Sequence, residues 1–159
     1  MKIRLGIGYD SHRFTEGRPL VLGGIRIPHS HGLAGHSDAD AVAHALTDAI
    51  LGAAGAGDIG RLFPDTDPQW RDADSLELLA RAHDTVRARG FACVQADLTI
   101  IAEQPLLAPH VDAMANNLAR RLGLAEGLVS VKAKTNERMG FIGRGEGLAV
   151  IAVATVEAG

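Results

Sequence analysis

The chain has 159 residues, a formal charge of −3, seven histidines and one cysteine. This length predicts a single domain over residues 1–159 that buries a core without disulfides, and a lone cysteine forms no internal disulfide. The mild acidity argues against nucleic-acid binding through a basic face, and no apolar run has the length of a membrane span or the pattern of a signal peptide. We therefore expect a cytoplasmic protein that binds neither nucleic acid nor membranes.

The first predicted strand covers residues 2–12. Its apolar residues alternate with polar residues and glycines, so Asp10 and His12 share the polar face. Two short strands, 20–22 and 25–27, flank Gly23-Gly24, a pattern that predicts a two-residue hairpin. Residues 28–35 are predicted to form a loop.

The sequence predicts two helices after this loop. The first is predicted to begin near Ser37 or Asp38, either of which can cap it, and to end near Leu51. A polar, turn-rich loop covers residues 57–73. The second helix covers 75–89, where we expect three terminal signals: a cap at Asp74, a side chain reaching back from Glu77, and a stop at Gly90.

The second half of the chain adds strands and one more helix. Residues 91–101 alternate, with one apolar face made of Ala92, Val94, Ala96, Leu98 and Ile100. A third helix opens near Pro109 and closes at Gly123, with an apolar face made of Val111, Met114, Ala115, Leu118 and Leu122. A strand over 128–135, a glycine-rich loop over 140–147, and an apolar strand over 148–156 that we expect to be buried on both sides complete the chain. This order predicts an α+β fold, one mixed sheet with helices packed on one face.

The first group of candidate residues combines the end of the first strand with the first predicted helix. Asp10 and His12 lie two apart on the strand, and His44 lies four residues from both Asp40 and Asp48 on the helix. Two histidines and a carboxylate are a ligand set for a catalytic divalent metal with one open position. Asp40 or Asp48 is then the candidate hydrogen-bond partner of His44. Surface histidines and ordinary capping by Asp are the alternative explanation.

Two further groups lie on loops. Carboxylates among the glycines and prolines of 57–68 suit sugar or polyol hydroxyls, although Asp65-Thr66-Asp67-Pro68 is also good turn chemistry. Thr135 and Glu137 precede the glycine-rich loop and Arg144 lies within it, a combination that suits a phosphate and a divalent ion, or alternatively a hairpin with a solvated salt bridge. Spacing alone leaves two rivals: a non-haem iron enzyme with the same two-histidine, one-carboxylate triad, and a module that binds a nucleotide without turnover.

Five stretches together resemble one family, 2-C-methyl-D-erythritol 2,4-cyclodiphosphate synthase of the non-mevalonate isoprenoid pathway. They are GIGYDSHRF at 6–14, HSDADAVAHALTDAILGA at 36–53, GDIGRLFPDTDP at 57–68, ADLTIIAEQP at 96–105 and VKAKTNERMGFIGRGEG at 131–147. Their order is the family's order, and they span nearly the whole chain.

The resemblance implies a reaction without a protein nucleophile. In the family, the 2-phosphate of a CDP-linked methylerythritol 2-phosphate attacks the β-phosphorus, which forms a cyclic diphosphate and releases CMP. Catalysis is then positioning and charge stabilisation. Asp10, His12 and His44 match the family's zinc ligands, and Glu137 matches the residue near a second ion, magnesium or manganese. The resemblance also implies a homotrimer, with sheets around the three-fold axis and active sites at subunit interfaces.

The resemblance further assigns substrate contacts. His36 and Thr135 match positions of transition-state stabilisation, which we take as the catalytic pair. The methylerythritol phosphate pocket matches Ser37, Asp58, Ile59, Gly60, Phe63 and Asp65, with Asp10, His12 and His36 also touching substrate. The cytidine pocket matches the segment 102–108, in which Ala102, Pro105, Leu106, Leu107 and Ala108 are the candidate contacts, together with Ala133, Lys134 and Thr135. Asn136, Glu137, Phe141 and Arg144 match further contacts.

One position departs from the family pattern. A lysine commonly follows the proline of the nucleotide segment, but Leu106 stands there in this chain. We hypothesise that Lys134 supplies the missing positive charge nearby.

Overall fold

A five-stranded mixed β-sheet organises the chain in a computed structural model that describes residues 2–159. The strands are β1 Ile3–Thr15, β2 Leu20–Leu22, β3 Ile25–Ile27, β4 Gly32–Leu33, β5 Phe91–Ile101, β6 Val129–Lys134 and β7 Gly147–Ala158. The helices are α1 Ala41–Ala53, α2 Ile59–Leu62, α3 Ser75–Ala88, α4 Val111–Leu122 and α5 Gly140–Gly143, with 3₁₀ turns at Pro68–Trp70 and Ala108–His110.

The order of strands in the sheet is β4-β1-β7-β5-β6, and β2 and β3 form a separate hairpin. Among the strands in residues 2–159, only β5 and β6 pair in parallel, and α4 supplies the crossover between them. The register pairs His12 with Leu148, and Ile101 with both Ala149 and Lys134. The carboxyl ends of β1, β5 and β6 therefore meet at one end of the sheet, which we call the site end. The predicted α+β class with a mixed sheet is confirmed.

Helix α1 lies close against β1 because that strand carries glycines beneath it. A Cβ placed at Gly6 would lie 2.0 Å from the Ala49 carbonyl oxygen, and one at Gly8 would lie 1.9 Å from the Ala45 carbonyl oxygen. Only glycine permits this approach. The same face of β1 carries Asp10 and His12, as the alternation predicted, so both side chains point toward α1.

The opposite side of β1 and β7 is an exposed apolar surface in the single chain. We call it the outer apolar face; its members are Ile3, Leu5, Ile7, Tyr9, Ile151 and Val153. Ile7 is 71% exposed and Val153, its partner in the register, is 40% exposed. The prediction that the strand over 148–156 is buried on both sides is therefore wrong for the single chain. Helices cover only one side of this sheet, and apolar composition alone does not show that.

The observed start of helix α1 differs from the predicted start. Helix α1 begins at Ala41 with Asp40 as its cap, not at Ser37 or Asp38, because Ala39 has φ 58° and both of those side chains bind other groups. Asp40 accepts hydrogen bonds from the backbone N–H groups of Gly23, Gly24 and Ala43, and burial raises the pKa of its carboxyl to about 6.

Some of the other local predictions are confirmed and some are wrong. The caps at Asp74 and Gly123 are confirmed, but Glu77 does not reach back, since it faces Arg81 and Arg121 instead. A bulge between Cys93 and Gln95 shifts the alternation of β5, so the buried set is Cys93, Ala96, Leu98 and Ile100 rather than one that includes Ala92 and Val94. The loops over 28–35, 57–73 and 140–147 contain β4, α2 and α5. Within residues 2–159, no helix combines the length and apolarity of a bilayer span.

Candidate functional site

Three predicted ligands converge where the site end of β1 meets α1. The Nε2 atom of His12 lies 2.7 Å from Oδ2 of Asp10, and Nδ1 of His44 lies 3.2 Å from that oxygen and 3.3 Å from the His12 nitrogen. The three ligand atoms, one from each residue, all lie within 4.8 Å of one another, and all three residues are half-buried. Strand alternation places the first two, and the first turn of α1 places the third.

The donor atoms fit a divalent cation. Two imidazole nitrogens and one carboxylate oxygen, with room for a further ligand, form the donor set of catalytic zinc sites. Burial of Asp10 opposes ionisation, but hydrogen bonds with His12 and His44 outweigh it and lower the pKa of its carboxyl. Burial likewise opposes the charged form of His12, yet the Asp10 carboxylate raises its pKa. A cation at this cluster therefore competes with a proton for the His12 ring.

The outer nitrogens of both histidines already have acceptors. Nδ1 of His12 donates to the Ala34 carbonyl oxygen at 2.7 Å. When Nδ1 of His44 faces a cation, its Nε2–H donates to Oγ of Ser75 at 2.8 Å, with Oγ of Ser37 at 3.1 Å. Ser75 in turn donates its hydroxyl hydrogen to the Asp38 carboxylate. This arrangement fixes the ring orientations that metal binding requires.

The predicted partners of His44 are therefore wrong. Asp40 caps α1 and holds the β2–β3 hairpin, and Asp48 accepts the Ile59 N–H at 2.7 Å. Ser75, which is fully buried at the start of α3, takes this role instead. No sequence signal links Ser75 to His44, because the two residues are 31 positions apart and meet only through the packing of α3 against α1.

We predict that Ser75→Ala lowers the zinc affinity of the protein by roughly 10- to 100-fold, because His44 loses the acceptor that orients its ring. Competition with a chromogenic zinc chelator measures this affinity. Ser130→Ala, at an exposed position on β6, serves as the matched control and leaves affinity unchanged. Equal zinc affinity in the Ser75 and Ser130 variants would show that the serine does not support the ligand.

A cavity of about 370 Å³ adjoins the three ligands. It gathers most of the residues predicted to hold the sugar phosphate; its lining is His12, Gly35, His36, Ser37, His44, Ile59, Gly60, Phe63, Asp65, Trp70 and Leu78. Asp58 does not line it, because its side chain caps α2 through the Arg61 N–H. Trp70 was not predicted; it packs edge-to-face on Phe63, with ring centroids 5.0 Å apart, and forms one wall.

The backbone around His36 is held from several sides. The Nε2 atom of His36 lies 3.1 Å from the Asp67 carbonyl oxygen, and the His36 carbonyl oxygen accepts the Asp72 N–H at 2.8 Å. Arg18 donates to the carbonyl oxygens of Gly35 and Ser37, on either side of it. The imidazole of His36 therefore has a defined place on the cavity wall.

The second predicted group lies at the ends of β5 and β6. The Ala102 N–H donates to the Lys134 carbonyl oxygen at 2.9 Å, which brings the two segments together. The same two segments carry the other residues predicted to contact the nucleotide and its phosphates, which are Pro105, Leu106, Leu107, Ala108, Ala133, Thr135, Asn136 and Glu137. Thr135, Glu137 and Phe141 are exposed, and Arg144 pairs with Glu146 at 2.7 Å, as the salt-bridge alternative for this loop anticipated. In residues 2–159, no hydrogen bond or salt bridge links this group to the Asp10–His12–His44 cluster.

Comparisons with known proteins agree on one family. The model of the YgbB family matches residues 3–157. A 2-C-methyl-D-erythritol 2,4-cyclodiphosphate synthase of Salinibacter ruber is 54% identical over 155 residues, which cover 98% of this chain and 99% of that protein. The bifunctional IspDF of Campylobacter jejuni is 48% identical with a TM-score of 0.96, and the match covers 99% of this chain but only 43% of that longer chain. A synthase of the same name, solved with bound CDP, is 44% identical, covers 97% and 100% of the two chains and has a TM-score of 0.88.

Proposed function

Because the chain belongs to the YgbB family of 2-C-methyl-D-erythritol 2,4-cyclodiphosphate synthases, we propose that Asp10, His12 and His44 hold zinc at its reaction centre. The enzyme is a lyase of isoprenoid biosynthesis. It closes a ring on its CDP-linked substrate: an oxygen of the 2-phosphate forms a bond to the β-phosphorus, the bond from that phosphorus to the oxygen bridging it to the α-phosphorus breaks, and CMP leaves with that oxygen. The observation that carries the zinc proposal is the convergence of three donor atoms with oriented rings.

The residues around the cluster stabilise the transition state and bind the substrate. A zinc ion bound there supplies a Lewis acid for a phosphate oxygen. His36 donates a hydrogen bond to charge that develops on the phosphates, and Thr135 does the same from the second group. Ser37, Asp58, Ile59, Gly60, Phe63 and Asp65 hold the methylerythritol phosphate. The cavity beside the zinc ligands supports this assignment, since it gathers all of these except Asp58.

The segment after β5 and the turn after β6 form the nucleotide side of the site. We assign cytidine to Ala102, Pro105, Leu106, Leu107, Ala108, Ala133, Lys134 and Thr135. Glu137 holds a second divalent ion, Mg²⁺ or Mn²⁺, and Asn136, Phe141 and Arg144 contact the substrate. The hydrogen bond between Ala102 and Lys134 supports treating these two segments as one pocket.

The outer apolar face supports a homotrimer with sheets around a three-fold axis. Contiguous apolar patches of this kind commonly mark protein–protein interfaces. Within residues 2–159, no hydrogen bond joins the zinc cluster to the nucleotide side, which suits a site completed by a neighbouring subunit. We also propose one domain over the whole chain and a cytoplasmic location. A lone buried cysteine, Cys93, whose pKa burial raises to about 11, suits a reducing compartment.

The direct test is turnover of the CDP-linked substrate by purified, zinc-loaded protein. We expect stoichiometric CMP and cyclic diphosphate, together with one zinc ion for each chain. Oxygen-dependent turnover with bound iron, or nucleotide binding without CMP, would contradict the proposal.

We predict that Lys134→Ala weakens affinity for the CDP substrate by about fivefold, near 1 kcal/mol, because its exposed ammonium replaces the lysine absent at Leu106. Lys132→Ala is the control, since Lys132 already pairs with Asp97. Isothermal titration with CDP measures both variants. Unchanged affinity in the Lys134 variant would rule out the compensating charge.

A further inference from the structure

The turn after β6 has an unusual backbone. We define it as the 135–138 turn; Glu137 and Arg138 in it have φ of 52° and 62°. Side chains of L-residues rarely occupy this left-handed region, and two in succession are rarer still. The turn is also largely exposed, so a packed core does not enforce its shape. Some other contact must hold it.

Within the chain segment itself, the Met139 N–H donates to the Asn136 carbonyl oxygen at 3.0 Å, and Asn136 Nδ2 donates to the Met139 carbonyl oxygen at 2.9 Å. The contact from outside the segment comes from Glu103. Its Oε1 accepts the Asn136 N–H at 2.9 Å and the Arg138 N–H at 3.0 Å. These two N–H groups lie on either side of Glu137, so a single carboxylate oxygen fixes the backbone at both ends of that residue. Successive N–H groups in such a turn form a concave anion site, and Glu103 fills it.

The place of Glu103 in the chain adds to this role. It directly follows Ala102, which binds the Lys134 carbonyl oxygen, so the end of β5 is already anchored to the end of β6. Glu103 is half-buried, and no cation pairs with it in the part of the chain that the structure describes. Its charge therefore acts on the two backbone N–H groups, as in other charge-assisted hydrogen bonds.

We propose that Glu103 is a positioning residue that holds the 135–138 turn and thereby aims Glu137 and Thr135 at the substrate. The inference rests on the proposed function in one respect, the role of Glu137 at the second ion. It adds a physical link: beside the backbone hydrogen bond from Ala102 to Lys134, one side chain joins the segment assigned to cytidine to the turn assigned to the second ion.

Two substitutions separate geometry from charge. Glu103→Ala removes the acceptor, whereas Glu103→Gln retains an oxygen that accepts both N–H groups. Glu126→Ala removes an equally charged, exposed side chain elsewhere and serves as the control. We expect Mn²⁺ affinity of the zinc-loaded, CDP-bound enzyme, measured by electron paramagnetic resonance, to fall by about tenfold in Glu103→Ala and to stay within about twofold in Glu103→Gln. Zinc content stays the same in all three.

Amide hydrogen exchange tests the turn without any ion at the second site. We expect the Asn136 and Arg138 amides to be protected in the wild type and in Glu103→Gln, and to exchange rapidly in Glu103→Ala. Protected amides in Glu103→Ala, or equal loss of Mn²⁺ affinity in the Gln and Ala variants, would overturn the positioning role. Glu137→Gln separates the two proposals: unchanged Mn²⁺ affinity there removes Glu137 from the ion site, while the exchange result still decides the role of Glu103.

Discussion

Replacing His44 with alanine should remove zinc from the protein and reduce CMP release by at least about a thousandfold, the equivalent of roughly 4 kcal/mol of transition-state stabilisation. The reason is geometric: Nδ1 of His44 is one of three donor atoms, and within residues 2–159 α1 is the one element that adds a ligand to the two on β1. Two remaining ligands hold a catalytic ion poorly. Metal analysis of the purified variant and chromatography of CMP measure the two effects.

His31→Ala is the matched control for this substitution. His31 is a half-buried histidine that contacts Ser30 and Glu16 and does not line the cavity beside the three ligands. The control variant should retain zinc and full activity. A His44→Ala protein that keeps both its zinc and its rate of CMP release would refute the ligand assignment.

Placing a charge on the outer apolar face should break the proposed homotrimer while leaving the metal site intact. In the single chain Ile7 is 71% exposed, so Ile7→Glu is compatible with the fold of one subunit. In a trimer packed through this face the new carboxylates lose water without gaining partners, at a cost of several kcal/mol for each. We expect monomers by analytical ultracentrifugation, loss of CMP release, and unchanged zinc content, since one chain supplies all three ligands.

The control for Ile7→Glu is Leu128→Glu, an equivalent substitution of an exposed leucine outside the outer apolar face. This variant should remain trimeric and active. If the Ile7→Glu protein stays trimeric, or if wild-type monomers catalyse the reaction at the full rate, the interface lies elsewhere.

Much of the fold was predictable because local chemistry specifies it. Gly23-Gly24 fixes the β2–β3 hairpin, Asp74 caps α3, and Gly123 in the left-handed conformation ends α4. The pairing of Asp10 with His12 on one face follows from strand alternation. The convergence of both with His44 was one of two interpretations that spacing allowed, and the resemblance assigned the three as ligands. The contact of β1 with α1 brings the three side chains together.

The rest depends on tertiary packing, which spacing does not reveal. The alternation of β1 does not tell which side a helix covers, and Gly6 and Gly8 decide this by admitting α1. The partner of His44 is Ser75 rather than a residue on α1, because α3 carries a hydroxyl to that ring. Glu103 lies within the segment predicted to bind cytidine, but its contacts with the turn after β6 were not predicted, because they lie 33 and 35 positions away.

Anomalous diffraction at the zinc edge, from crystals of the zinc-loaded protein with CDP, tests the proposed reaction centre most sharply. We predict one strong peak for each chain among Oδ2 of Asp10, Nε2 of His12 and Nδ1 of His44, at about 2.0–2.2 Å from each, with a phosphate oxygen of CDP as the fourth ligand. A zinc peak elsewhere, or CDP phosphates bound away from these three atoms, would contradict it.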